Sequence, residues 1–171
     1  MCYFRYGYGE MRKTTLCYIF KEDKVLLLYR NKKENDANEG KWIGVGGKTE
    51  EGETPEECMK REVSEETGLT VTKYHFHGII KFISEMWDDE EMYLFSASEY
   101  EGKITKPCDE GKLEWIDKSR VFDLPMWEGD KYFLKPLLDG DDSINMILRY
   151  EGKGPEEHLA EAVKLTAGAG R

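Results

Sequence analysis

Residues 47–69, GKTEEGETPEECMKREVSEETGL, decide how this chain is read. Thr54 is an N-cap residue, Pro55 takes the first helical position, Glu57 completes a capping box and Gly68 is a C-terminal stop. The spacing predicts a helix over 54–67. On it Glu62, Glu65 and Glu66 stand at i, i+3 and i+4, so all three project from one face. Met59 and Val63 lie beside that face, which places the carboxylates at the margin of the buried stripe, while Glu57, Lys60 and Ser64 point to water. Three like charges on successive turns repel one another. They become favourable around a divalent cation, because carboxylate oxygens are the ligands of hard Mg²⁺ or Mn²⁺. A solvated acidic face is the plain alternative.

The segment upstream shifts the balance. Gly44, Gly46 and Gly47 give a backbone that can approach a phosphate or offer a carbonyl to a metal. Glu53 stands eight residues before Arg61, and an arginine–carboxylate pair there ties the loop to the helix in fixed geometry.

The 171 residues carry 35 acids against 25 bases, a net charge of −10. Eight acids and three bases fall between Gly47 and Leu69, so half of the excess sits in this one stretch. Acidity argues against polymeric nucleic acid as a partner, since that affinity comes from Lys and Arg displacing counterions. No run of 18 apolar residues offers a membrane-spanning helix, and the start lacks the layout of a secretory signal. Cys2, Cys17, Cys58 and Cys108 form no CxxC pair and read as reduced thiols of a cytoplasmic protein.

The length suits one domain. Residues 1–10 read as an appendage, 11–150 as the domain and 151–171 as a polar tail with a short helix near 156–165. Strands are expected at 13–20 and 25–30, joined by a turn at Glu22-Asp23. Residues 31–40 read as a polar loop, and 41–46 as a short strand feeding the glycine turn. Further strands are expected at 70–84, 91–98, 112–116 and 143–150, and a second helix at 127–138. Strands and helices mix without βαβα alternation, which favours an α+β fold.

The pattern Gly47, Glu53, Arg61-Glu62-Val63-Ser64-Glu65-Glu66, Gly68-Leu69 resembles a complete Nudix box. The resemblance extends from about Met11 to Tyr150. It implies a mixed sheet between helices, an α/β/α sandwich, and Mg²⁺-dependent hydrolysis of a nucleoside diphosphate linked to another group. It assigns Glu62, Glu65, Glu66 and the Gly47 carbonyl to metal, with Glu53 and Arg61 as the orienting pair. The group acting on water would be a box glutamate such as Glu65 or Glu66, or a carboxylate from another loop; Glu110, in Asp109-Glu110-Gly111, is the candidate from outside the box, for that role or as a further metal ligand.

Within the family the chain most resembles the MutT-like 8-oxo-dGTP diphosphatases, through residues 40–48, 110–115 and 124–130. That resemblance implies a nucleoside triphosphate substrate, cleaved to monophosphate and pyrophosphate. It assigns purine stacking to Trp127, the base edge to Asp130, the base pocket to Thr15 and Phe82, and phosphate contact to Arg30. Two positions depart from the mammalian pattern: Ile43 replaces an asparagine, and Gly129-Asp130 replaces an aspartate pair. Ile43 cannot hydrogen-bond a base, which keeps a broad-specificity hydrolase open, with a non-catalytic nucleotide-binding module behind it. A monomer or small homo-oligomer is expected, without membrane partners.

Overall fold

The computed structural model describes residues 11–105 and 107–166; the expected appendage at 1–10 lies outside them. Strands β1 (Arg12–Lys21) and β2 (Lys24–Arg30) form an antiparallel hairpin with Ile19 opposite Leu26. Beyond that register they part, and the glycine-rich segment fills the gap. Its first half, β3 (Trp42–Ile43), pairs with β2, and its second half, β4 (Val45–Lys48), pairs with β1, Thr15 lying opposite Gly47. The chain then enters α1 (Pro55–Thr67). Its Thr54–Glu57 capping box is fully formed, and Gly68 closes it in the left-handed conformation at φ 79°.

The long strands β5 (Thr70–Ser84) and β6 (Glu90–Glu101) form an antiparallel pair, and β6 runs parallel to β1 with Leu94 beside Leu16. Strand β7 (Gly111–Asp117) pairs with β2. After a 3₁₀ turn at Lys118–Asp123 comes α2 (Asp130–Leu138), then β8 (Asn145–Glu151), parallel to β5, and β9 (His158–Leu165), antiparallel to β8. Among the described residues the nine strands make one mixed sheet. Among the described residues no helix is long and apolar enough to cross a membrane.

Strand alternation explains the layering. Cys17, Ile19, Leu26, Phe95 and Ala97 face α1 and meet Met59, Val63 and Leu69. Leu16, Tyr18, Val25, Leu27 and Leu94 face the other way and meet Phe133, Leu134 and Leu137 of α2. Both faces of β1 are buried, as its unbroken apolar run requires. The result is the expected α+β sandwich, α/β/α, with α1 and its acidic face held against the β4 edge of the sheet.

Two expectations are corrected. The tail at 156–165 is not a helix: residues His158–Leu165 form β9 on the open edge of β8. Its Ala, Leu, Glu and Lys favour a helix by propensity, but the hydrogen-bonding edge of β8 and burial of Leu159 and Ala162 against the core prevail. The second helix begins at Asp130 rather than Trp127, leaving Trp127 in the turn before it.

Met59 is fully buried where α1 meets the sheet. Met59→Ala should lower unfolding free energy by about 2–5 kcal/mol in a denaturant titration.

Candidate active site

The β4–α1 connection brings the box residues together around Arg61. Its Nε and Nη2 grip Glu53 Oε2 and Oε1 at 2.7 and 2.9 Å, a two-pronged pair. Nη2 also donates to the Lys48 carbonyl at 3.1 Å, and Nη1 to Glu62 Oε1 at 2.9 Å and Glu65 Oε2 at 3.2 Å. The expected pairing of Glu53 with Arg61 is therefore present, and the same guanidinium neutralises two further box acids. The Arg61 hydrogen bonds hold the Glu53 carboxyl down at about 2.

The three glutamates differ in setting. Glu65 is exposed and leans on Arg61. Glu62 is half-buried and lies against Gly47, where an added Cβ would come within 2.6 Å of its carboxyl group, so the close approach requires glycine. Burial pushes the Glu62 carboxyl up. Glu66 is buried, and both its oxygens lack a hydrogen-bond partner among the described residues. Burial first, then neighbouring Glu110, pushes its carboxyl up. No group of three or more acids, histidines or cysteines among the described residues is already gathered as a metal cage.

Glu110 lies across from the box and is held by two cations. It pairs with Arg30, and its Oε1 accepts from Lys33 Nζ at 2.9 Å. Burial pushes Glu110 up, but interactions with Glu66, Lys33 and Arg30 outweigh it and leave the carboxyl below its usual range. Arg30 Nε also donates to Asp36 Oδ2 at 2.7 Å. Thus Arg30 positions Glu110 as well as facing the cleft.

A cleft of about 630 Å³ joins this charged end to an aromatic one. Gly47, Glu62, Arg30 and Glu110 line the first, and Phe82, Ile43, Trp127, Asp130 and Tyr150 line the second. Thr15 also lines the cleft, but its hydroxyl lies 3.3 Å from Cys58 Sγ, on the α1 side. A smaller cavity of about 240 Å³ adjoins the aromatic end. Trp127, Tyr150 and Glu157 line both, so these three form the partition. The Trp127 indole N–H donates to Asn38 Oδ1 at 2.8 Å, and its ring meets Tyr150 edge-on at 5.1 Å. Lys41, whose ammonium lies 4.2 Å from the indole centroid, lines the smaller cavity and not the larger. The indole therefore carries its cation on the side away from the cleft.

Asp130 is buried at the head of α2. Burial, reinforced by Glu90, pushes its carboxyl up to about 8, against the pull of Lys41. Asn38, Lys41, Tyr150 and Asp36 were not legible as site residues: each lies outside the box, and their contacts with Trp127, Gly129 and Arg30 follow no local spacing.

A family sequence profile described as "NUDIX domain" matches residues 10–137. The chain is 31% identical over 144 residues to the "Uncharacterized Nudix hydrolase YvcI" of Bacillus subtilis, covering 82% of this chain and 87% of that protein. It is 37% identical over 119 residues to the "Oxidized purine nucleoside triphosphate hydrolase" of Danio rerio, covering 68% and 72%. The crystal structure of the MutT protein from Bacillus halodurans superposes with a TM-score of 0.76 at 34% identity, covering 90% of this chain and 97% of that one.

The raised carboxyl of Asp130 makes a stability prediction. An acid whose folded value lies near 8 and whose free value is 3.8 contributes stability below pH 4 that is lost as pH rises through 8. Denaturant titrations from pH 4 to 9 should show this loss in the native chain and a shallower one in Asp130→Asn.

Proposed function

The chain belongs to the Nudix hydrolase family, and from that premise we propose that it cleaves nucleoside triphosphates to monophosphate and pyrophosphate with Mg²⁺, acting on oxidised purine deoxynucleotides such as 8-oxo-dGTP. The observation that carries this reading is the single cleft whose one end gathers carboxylates and whose other end presents an indole and a buried acid. A nucleotide has the same polarity, with phosphates at one end and an aromatic base at the other. The relative from Danio rerio named for oxidised purine triphosphates supports the substrate class.

The donor set fits a hard cation. Among the described residues neither oxygen of the buried Glu66 carboxyl has a hydrogen-bond partner, an arrangement that is costly unless a cation or proton meets them. Glu62, Glu65, Glu66 and the Gly47 carbonyl, with Glu110 opposite, would hold Mg²⁺, and Mn²⁺ is served by the same oxygens. Bound there, the ion neutralises phosphate charge and polarises the phosphoryl oxygens.

The chain's own groups supply the rest. Arg61 and Glu53 fix the loop that carries Gly47. Glu110, opposite the box and paired with Arg30 and Lys33, or one of the box glutamates, would take a proton from the attacking water or orient it. Arg30 faces the phosphates. Trp127 offers its cleft-side face to the purine, with Phe82 along the pocket, whereas Thr15, opposite Gly47 and turned to Cys58, stands at the charged end and not at the base as the resemblance implied. Asp130, neutral near pH 7, presents both a donor and an acceptor to the base edge.

Ile43 favours a second reading of the same chemistry. It lines the cleft where a hydrogen-bonding side chain would sharpen base choice, so a broader nucleotide range is its natural consequence.

Steady-state hydrolysis of 8-oxo-dGTP, dGTP and ADP-ribose with Mg²⁺ separates the two. The proposal expects 8-oxo-dGTP to lead in kcat/KM by about tenfold or more, on the scale of one buried hydrogen bond to a charged or polar partner. Equal values on 8-oxo-dGTP and dGTP contradict it. Glu66→Gln should lower kcat by about 100-fold or more, and full turnover in that variant defeats the placement of the reaction at this end of the cleft.

A further inference from the structure

The segment between β8 and β9 reaches the aromatic end of the cleft from beyond residues 10–137, the span matched by the family profile. It is fastened on both sides. The Gly152 N–H donates to Glu85 Oε2 at 3.0 Å and the Gly154 N–H to Met86 Sδ at 3.3 Å, both on the β5–β6 turn. The Leu159 N–H donates to Glu128 Oε2 at 3.4 Å. Between these anchors lies Glu157, in the partition beside Trp127 and Tyr150.

Its Oε2 is fully buried and has no hydrogen-bond partner among the described residues. The Trp127 N–H is engaged by Asn38 and the Gly129 N–H by the Tyr150 hydroxyl, while Lys41 and His158 line the smaller cavity on the far side of the partition. An ionised carboxylate is an acceptor only, and a buried lone pair left empty is costly. Glu157 also lines the cleft itself beside Trp127 and Tyr150, so a group that fills this end of the cleft meets its side chain. A phosphate has no N–H to give and is repelled by the charge. A nucleobase lying on the indole presents ring N–H and exocyclic amino groups in its own plane, at the edge where the partition stands.

We propose that Glu157 is a specificity-determining residue that accepts a hydrogen bond from the amino-bearing edge of the purine. It supplies, from a different strand pair, a second carboxylate at the base end, where the sequence has Gly129 beside Asp130. This rests on the nucleotide reading above and adds the group that selects the base.

The test compares nucleotides that differ by one exocyclic amine: dGTP with dITP, and dATP with purine deoxyriboside triphosphate. Glu157→Gln keeps the volume and Glu157→Ala removes the acceptor. The ratio of kcat/KM within each pair does not depend on how much of a variant is folded. In at least one pair the native chain should favour the amino-bearing member about tenfold, and Glu157→Ala should erase that preference through KM with kcat little changed. Glu157→Gln should fall between them. Ratios in Glu157→Ala equal to the native ones, or losses shared equally within both pairs, overturn the proposal. Calorimetric binding of dGMP against dIMP, and of dAMP against purine deoxyriboside monophosphate, reads the same preference without turnover. A chain that hydrolyses none of the triphosphates yet shows that preference only with Glu157 in place defeats the proposed reaction and upholds the role of Glu157. Absence of any native preference in either binding pair defeats the role itself.

Discussion

The guanidinium of Arg61 stands between Glu53, Glu62, Glu65 and the Lys48 carbonyl, and most of the site depends on that position. Without a cation there, the acids of α1 and of the preceding loop would repel one another across about one helical turn. With it, the β4–α1 connection is bound to the helix that follows, and Gly47 is held against Glu62. The fork geometry makes this a task for arginine, because lysine offers no second prong for Glu53. The sheet contributes the other half of the constraint. Since β1 and β2 separate past their turn, β3 and β4 can enter between them and carry the glycine turn to the N-terminal half of β1.

Charge is arranged by the same logic along the cleft. Arg61 serves the box acids, Arg30 and Lys33 serve Glu110, and Glu66 is left buried between the two groups with no partner among the described residues. Its burial and the nearby Glu110 both oppose ionisation. Such a group weakens the fold unless something positive meets it, as the proposed divalent cation would. Toward the other end, Asp130 is neutral for a simpler reason, its burial at the head of α2.

Local features were the legible ones. The cap at Thr54, the proline at the first helical position and the stop at Gly68 act within a few residues, so the sequence predicts α1 closely. The strand at 70–84 is equally clear because β-branched and aromatic residues recur along its whole length. The box acids and Arg61 were found by spacing, and Glu53 with Arg61 meets as that spacing implies. What escaped depends on contacts across the chain. Asn38 finds Trp127 across 89 residues, and Lys41 finds the same ring. Strand β9 is made by the edge of β8 against its own helix propensity, so no reading of 158–165 alone would place Glu157 at the cleft. The differing surroundings of Glu62, Glu65 and Glu66 were also hidden, since an i, i+3, i+4 pattern gives a common face but not its depth.

Glu66, buried with no partner among the described residues, is the place proposed for a divalent cation. Thermal unfolding with and without Mg²⁺, in the native chain and in Glu66→Gln, tests it most directly. Mg²⁺ should raise the Tm of the native chain, whereas Glu66→Gln should be at least as stable as the native chain without metal and gain little when Mg²⁺ is added. An equal Mg²⁺-induced rise in both proteins would contradict it.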